Sequence, residues 1–137
     1  MVIRNCAGGL VFCNDKVLLI RNDKHEWGFP KGLVPQGGST KSSAISRIAQ
    51  ETGVVAKIIA PAGKTSYEFY SITRRKPVHN NISWFVMLAE SEDCTADESL
   101  GIVECSFVPV EKALDRITYS QDKSLLMLAF QKYKEQT

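Results

Sequence analysis

The sequence predicts an α/β fold in which strands precede and follow one sharply framed helix and a second helix closes the chain. Three observations carry this. Ala44, Ile45, Ile48, Ala49 and Thr52 fall on one side when plotted at about 100° per residue. They lie between a Pro- and Gly-rich loop opened by Gly32 and a Gly53 placed where a helix C′ glycine belongs. Short apolar runs separated by turn residues flank this segment on both sides. Finally, Ser120 is suited to cap an amphipathic helix with Leu125, Leu128 and Ala129 on its buried side.

Taken in order, Val2 to Phe12 reads as a β-rich stretch around Gly8-Gly9, a pair that suits a bulge or a close backbone approach. Asn14-Asp15 is a turn signal and Val17 to Ile20 a short apolar strand, so the two form a hairpin. Arg21 to Glu26 is a polar loop with His25 facing solvent. Trp27, Phe29 and Pro30 are read as packing residues leading into Lys31. Beyond the framed helix, Val55 to Ala60 is a strand ended by Pro61, and Tyr67 to Tyr70 is another. Thr73 to Asn80 (TRRKPVHN) is a basic turn with two readings, a solvated hairpin tip or a phosphate-facing loop using Arg74, Arg75, Lys76 or His79. Ile82 to Ala89 is nearly all apolar and therefore a central strand. Glu90 to Glu98 is an acidic loop, Glu104 to Val110 a strand, and Glu111 to Arg116 a short helix.

Composition narrows the function classes. A chain of 137 residues fits one domain, 1–137, large enough for a real core. Its 44% hydrophobic and 23% charged residues are ordinary for a globular protein. A net charge of +2 gives no electrostatic case for nucleic acid or membrane as partner. Cys6, Cys13, Cys94 and Cys105 show no metal spacing and read as reduced thiols. With no run of membrane-spanning length and no leader pattern, the expected location is cytoplasmic.

The run WGFPK at Trp27 to Lys31, followed by GLVPQGGSTKSSAISRIAQETGV at Gly32 to Val54, resembles the Nudix box of the Nudix (MutT-like) hydrolase family, G-x5-E-x7-R-E-U-x-E-E-x-G-U with U bulky and apolar. Gly32, Ile48, Glu51, Gly53 and Val54 keep its frame. The box is degenerate elsewhere. The family's loop Glu falls on Gly38, its Arg on Ser46, the next Glu on Arg47 and the first of the paired Glu on Gln50. Moving Arg47 onto the family's Arg would delete a residue inside the helix and rotate all that follows by about 100°. The FPKG form with Lys31 is similar to the branch that cleaves diadenosine polyphosphates.

The resemblance implies an α/β/α sandwich with a mixed central sheet, a box helix and a C-terminal helix. It implies a nucleotide or dinucleotide as ligand and Mg2+ or Mn2+ as cofactor, held by Glu51 and the Gly32 carbonyl. Glu51 and Glu98 would then be catalytic, with Glu104 behind Glu98, and Lys31, Arg47 and Gln50 would bind substrate. Arg47, Gln50 and Glu51 share one helix face by their i, i+3, i+4 spacing, opposite the Ile45/Ile48 side. The family carries three carboxylates there, whereas Arg47 here cancels Glu51. A cation about 6 Å from Mg2+ costs roughly 5 kcal/mol at an effective dielectric near 20, so the metal site is expected to be weak or absent. Two readings of Arg47 stand: it pairs with Glu51 or faces water, or its planar guanidinium replaces the metal at phosphate. Three functions follow: a metal-dependent pyrophosphohydrolase, a nucleotide-binding or regulatory domain without catalysis, or a scaffold whose ancestral cleft is unused. The oligomeric state is left open.

Overall fold

Asn14 and Asp15, at φ 52° and 61°, make the tight turn that starts the sheet, a geometry that Asn and Asp tolerate better than other non-glycine residues. In the computed structural model, which describes residues 1–136, this turn joins β1 (Val2–Cys13) to β2 (Lys16–Asn22). The two strands pair at Phe12–Val17 and Cys13–Lys16 and then take other partners. β1 runs parallel to β6 (Lys76–Ala89) from Val2–Val78 to Phe12–Leu88, and antiparallel to the short β4 (Lys31–Leu33) over Cys6 to Gly8. β2 pairs with β3 (Trp27–Gly28) and β7 (Ile102–Pro109), and β5 (Ala56–Ser71) pairs with β6. The sheet is mixed, in the order β3-β2-β1-β6-β5, with β4 and β7 attached to β1 and β2.

One apolar cluster joins Leu10, Phe12, Trp84 and Val86 to α2 (Val110–Arg116) and α3 (Ser120–Gln136). The other joins Ala7, Val11, Leu18 and Met87 to α1 (Thr40–Thr52). Helices therefore cover both faces, as an α/β/α sandwich requires. The Gly8-Gly9 pair is a close approach. A Cβ on Gly9 would come within 2.8 Å of both Ile48 Cδ1 and Met87 Sδ.

α1 begins at Ser39, whose Oγ accepts the Ser42 N–H at 3.3 Å. It stops at Gly53, φ 72°, whose N–H reaches the Ala49 carbonyl at 2.9 Å. Ser39→Ala is expected to cost about 1 kcal/mol, read as a lower urea midpoint at unchanged slope.

Several boundaries differ from the sequence reading. Pro61 does not end a strand, and Tyr67 to Tyr70 is not a separate one; both lie in the 16-residue β5. β5 is the last strand in the sheet order, where a missing N–H breaks no second ladder. Bulges at Ile58/Ala60 and Pro61/Gly63 absorb the ring. β6 begins at Lys76, leaving Ile72 to Arg75 as the turn. On α1 the buried residues are Ala44, Ile48, Glu51 and Thr52, while Ile45 and Ala49 are exposed. The core stripe is thus rotated toward Glu51, because α1 packs over β1 and β4. On α3, Leu128 is exposed and Leu126 buried beside Leu125, Ala129 and Tyr133. Tyr133 stacks on Phe12 with ring centroids 4.5 Å apart.

Candidate functional site

β4 and the second half of α1 meet at Gly32. A Cβ there would lie 2.7 Å from Arg47 Cδ and 2.9 Å from Arg47 Nε, so the glycine is what lets the Arg47 stem lie across the β4 backbone. From that position Arg47 Nε donates to Glu51 Oε2 at 3.1 Å, one helical turn on. Glu51 is 3% exposed, and its other oxygen, Oε1, is buried without a hydrogen-bond partner. Burial pushes its carboxyl above the ordinary 4.5, against the opposing pull of Arg47 and then Lys31. The helix end is held by the acidic loop: the Asp97 N–H donates to the Glu51 carbonyl and the Thr95 N–H to the Thr52 carbonyl, both at 2.9 Å. Two orphan carbonyls of α1 are thereby satisfied.

Lys31 stands opposite Gly8 in the β1–β4 register. A Cβ on Gly8 would lie 2.5 Å from the Pro30 carbonyl oxygen and 2.8 Å from Lys31 Cβ. Lys31 lines one cleft with Glu51 and Glu26 and another with Glu26 and Asp122, and its charge opposes the burial that raises the carboxyls of Glu51 and Asp122. A cleft of about 410 Å³ contains Lys31, Glu51, Lys24 and Glu26, with Leu100 and Gly101 at its wall. It shares Lys24, Glu26, Lys31 and Tyr67 with a second cleft of about 580 Å³, lined by Phe69, Trp84, Tyr119 and Asp122.

The second cleft was not foreseen. Its side chains come from β5, β6 and the start of α3, which are far apart in the chain, and the aromatic residues of β5 read simply as strand. The i, i+2 spacing of Tyr67 and Phe69, which puts both on one face of a strand, was the available signal. Its polar groups are anchored: the Tyr67 hydroxyl accepts from Asn80 Nδ2 at 2.8 Å, and Trp84 Nε1 donates to Thr65 Oγ1 at 2.8 Å. Tyr119 donates its hydroxyl proton to Glu26, which holds that carboxyl below its ordinary range. Asp122 is raised by burial.

The other sequence candidates lie elsewhere. Gln50 is exposed and donates to Ser46 Oγ at 3.3 Å. Glu51 is not opposite the core side of α1 but part of it. Glu98 is exposed on a 3-10 turn, Glu98–Leu100, that contributes Leu100 to the cleft. Glu104 accepts from Arg21 at 2.8 Å. Arg74, Arg75 and Lys76 are exposed at the β5–β6 turn, and His79 is engaged by Glu68 at 3.0 Å and Asn81 at 2.9 Å.

Mg2+ or Mn2+ requires several hard oxygen donors at one point. Here Glu51 offers one unpaired oxygen while the other is held by Arg47, and the Arg47 stem covers Gly32. Among the described residues no three His, Cys, Asp or Glu side chains converge. The donor set does not fit the ion. The described helices include none long and apolar enough to cross a membrane.

Among solved structures the chain is similar to an Ap4A hydrolase of C. elegans in binary complex, with TM-score 0.75 and 17% identity over 98% of this chain and 99% of that one. It is also similar to the NUDIX domain of Shewanella oneidensis NrtR bound to ADP ribose, with TM-score 0.72 and 16% identity over 97% of this chain and 88% of that one. At these identities the likeness is one of fold. The putative mutator protein MutT4 of Mycobacterium tuberculosis is 29% identical over 103 residues, which are 75% of this chain but only 40% of that protein's length. The NUDIX domain pattern matches residues 3–128, from the first strand through the helix that carries Arg47 and Glu51 into α3, and the chain belongs to the NUDIX family.

Proposed function

We propose that residues 1–137 act as one cytoplasmic NUDIX domain that binds a nucleoside diphosphate-linked compound, of the dinucleoside polyphosphate kind, without efficient metal-dependent hydrolysis. The observation that carries this is Arg47, laid over Gly32 and bonded to Glu51 where the family's metal chemistry would sit. In this reading Arg47 and Lys31 take phosphate oxygens, the guanidinium as a planar fork and the ammonium as a point charge. The base enters the aromatic cleft beside Tyr67 and Tyr119, where stacking on an aromatic side chain contributes about 1–3 kcal/mol. Asp122 accepts from an N–H edge of the base. The similar proteins support the ligand class, since one is an Ap4A hydrolase and another a NUDIX domain bound to ADP ribose.

A second reading, residual pyrophosphohydrolysis, is favoured by the unpartnered Glu51 Oε1. In it Glu51 holds or deprotonates water, with Gly32, Gln50 and Glu98 completing a poor site for Mg2+ or Mn2+. A hydrolysis screen over dinucleoside polyphosphates, nucleoside triphosphates and nucleotide sugars, with Mg2+, Mn2+ or chelator, separates the two. The expected result is nucleotide bound and no turnover above a Glu51→Gln control. Metal-dependent turnover abolished by that substitution would establish the second reading instead.

A further inference from the structure

The chemistry of Arg47 determines how divalent metal acts on this cleft. In a site built around Mg2+, the ion joins carboxylates to phosphate, so adding it strengthens nucleotide binding. Here the carboxylate that would join them is already neutralised by a cation on the same helix, 3.1 Å away. Glu26, a second carboxylate of the cleft, is engaged by Tyr119 and Asn22. Lys31 lines the cleft beside Glu51, and Arg47 lies across Gly32 with its Nε on that same Glu51; in the nucleotide reading it is these two cations that meet the ligand. Both take the same non-bridging phosphate oxygens that Mg2+ chelates. A phosphate chain wrapped round Mg2+ has lost two negative charges and offers fewer free oxygens to the fork. The ion it carries would also be pressed toward Arg47, like charge against like.

We propose that Mg2+ antagonises ligand binding at this site: the protein and the ion compete for the phosphate, and the form bound is the metal-free nucleotide. The inference rests on the reading of the cleft as a nucleotide site and adds to it the sign of the metal effect. It also ranks ligands. A terminal triphosphate holds Mg2+ tightly and loses most when the ion is added. An internal diphosphate with both ends substituted carries two single charges, holds Mg2+ weakly, and keeps its affinity.

The test is calorimetric titration of the full chain with ATP and with ADP-ribose, in chelator and in excess Mg2+ at matched ionic strength. The expected result is about a tenfold weakening of ATP by Mg2+ and less than about twofold for ADP-ribose, by competition between protein and ion for free ligand. In Arg47→Glu the sign should reverse, so that Mg2+ strengthens ATP binding. Should that variant fail to fold, Arg47→Met keeps the stem over Gly32. It should bind ATP at least about tenfold more weakly in chelator and lose most of the Mg2+ dependence. Tighter ATP binding in Mg2+ by the unaltered protein, or no difference, overturns this inference alone. Failure of both ligands to bind even in chelator overturns the nucleotide reading and this inference with it.

Discussion

Replacing Arg47 with Met is expected to destabilise the protein by roughly 2 kcal/mol at neutral pH. Glu51 is 3% exposed and depends on Arg47 Nε for the side-chain hydrogen bond to Oε2, so the substitution leaves a buried carboxylate with neither oxygen paired. Breaking a fully buried pair costs about 3–5 kcal/mol. The lower figure applies because the Arg47 side chain is itself 33% exposed, and water can compensate part of the loss. The pH dependence follows from the same carboxyl. Its folded pKa is already raised by burial, and removing Arg47, which pulls it down, raises it further. Between the ordinary 4.5 and that raised value the folded state holds a proton that the unfolded state releases. Stability therefore falls as pH rises through the window, and the deficit of Arg47→Met should be small near pH 4 and open toward neutrality. Urea melts across pH measure it directly. Arg47→Met combined with Glu51→Gln should recover most of the loss, since the charge is then gone as well. Additive losses in that double variant would show that the pair is not the cause.

Gly8→Ala is expected to be as costly, about 2–3 kcal/mol, for a different reason. The new methyl would meet the Pro30 carbonyl oxygen at 2.5 Å and Trp84 at 2.7 Å. The first is backbone and the second a ring in the core, so neither can swing aside. Relief requires β1 and β4 to separate, and β4 carries Lys31. Thermal unfolding should thus show a lower midpoint while nucleotide affinity falls in parallel. A stable Gly8→Ala protein with unchanged affinity would mean that Lys31 is not positioned by this contact.

The parts of the fold legible from sequence are those decided locally. Gly53 stops α1 because its left-handed φ suits glycine, and Asn14-Asp15 turns the first hairpin for the same kind of reason. Where tertiary contacts decide, the reading slipped. Pro61 reads as a strand end, yet an edge strand tolerates it. A plot at 100° per residue groups Ile45 and Ala49 with the core, but hydrophobicity cannot say that the sheet will cover Glu51 and Thr52 instead. A carboxylate on the buried side becomes predictable only with its Arg47 partner in view. Lys31, Gly32, Arg47 and Glu51 come from one continuous stretch, Trp27 to Val54, and could be read as a unit. The aromatic cleft draws Tyr67, Trp84 and Tyr119 from separate elements, and nothing local links them.

The parallel ladder between β1 and β6 sets the order in which this chain can fold. It joins Val2 to Val78 and Phe12 to Leu88, so β1 meets its longest partner only after β2 to β5 and α1 have been made. The β5–β6 hairpin, joined by a tight turn at Ile72 to Arg75, can close by itself on the microsecond scale. β1 must wait, and such distant pairing slows folding. During that wait its apolar half, Cys6 to Cys13, has no sheet neighbour except the end of β2 and the short β4. A nascent chain halted before β6 should therefore be the form that chaperones hold and proteases cut.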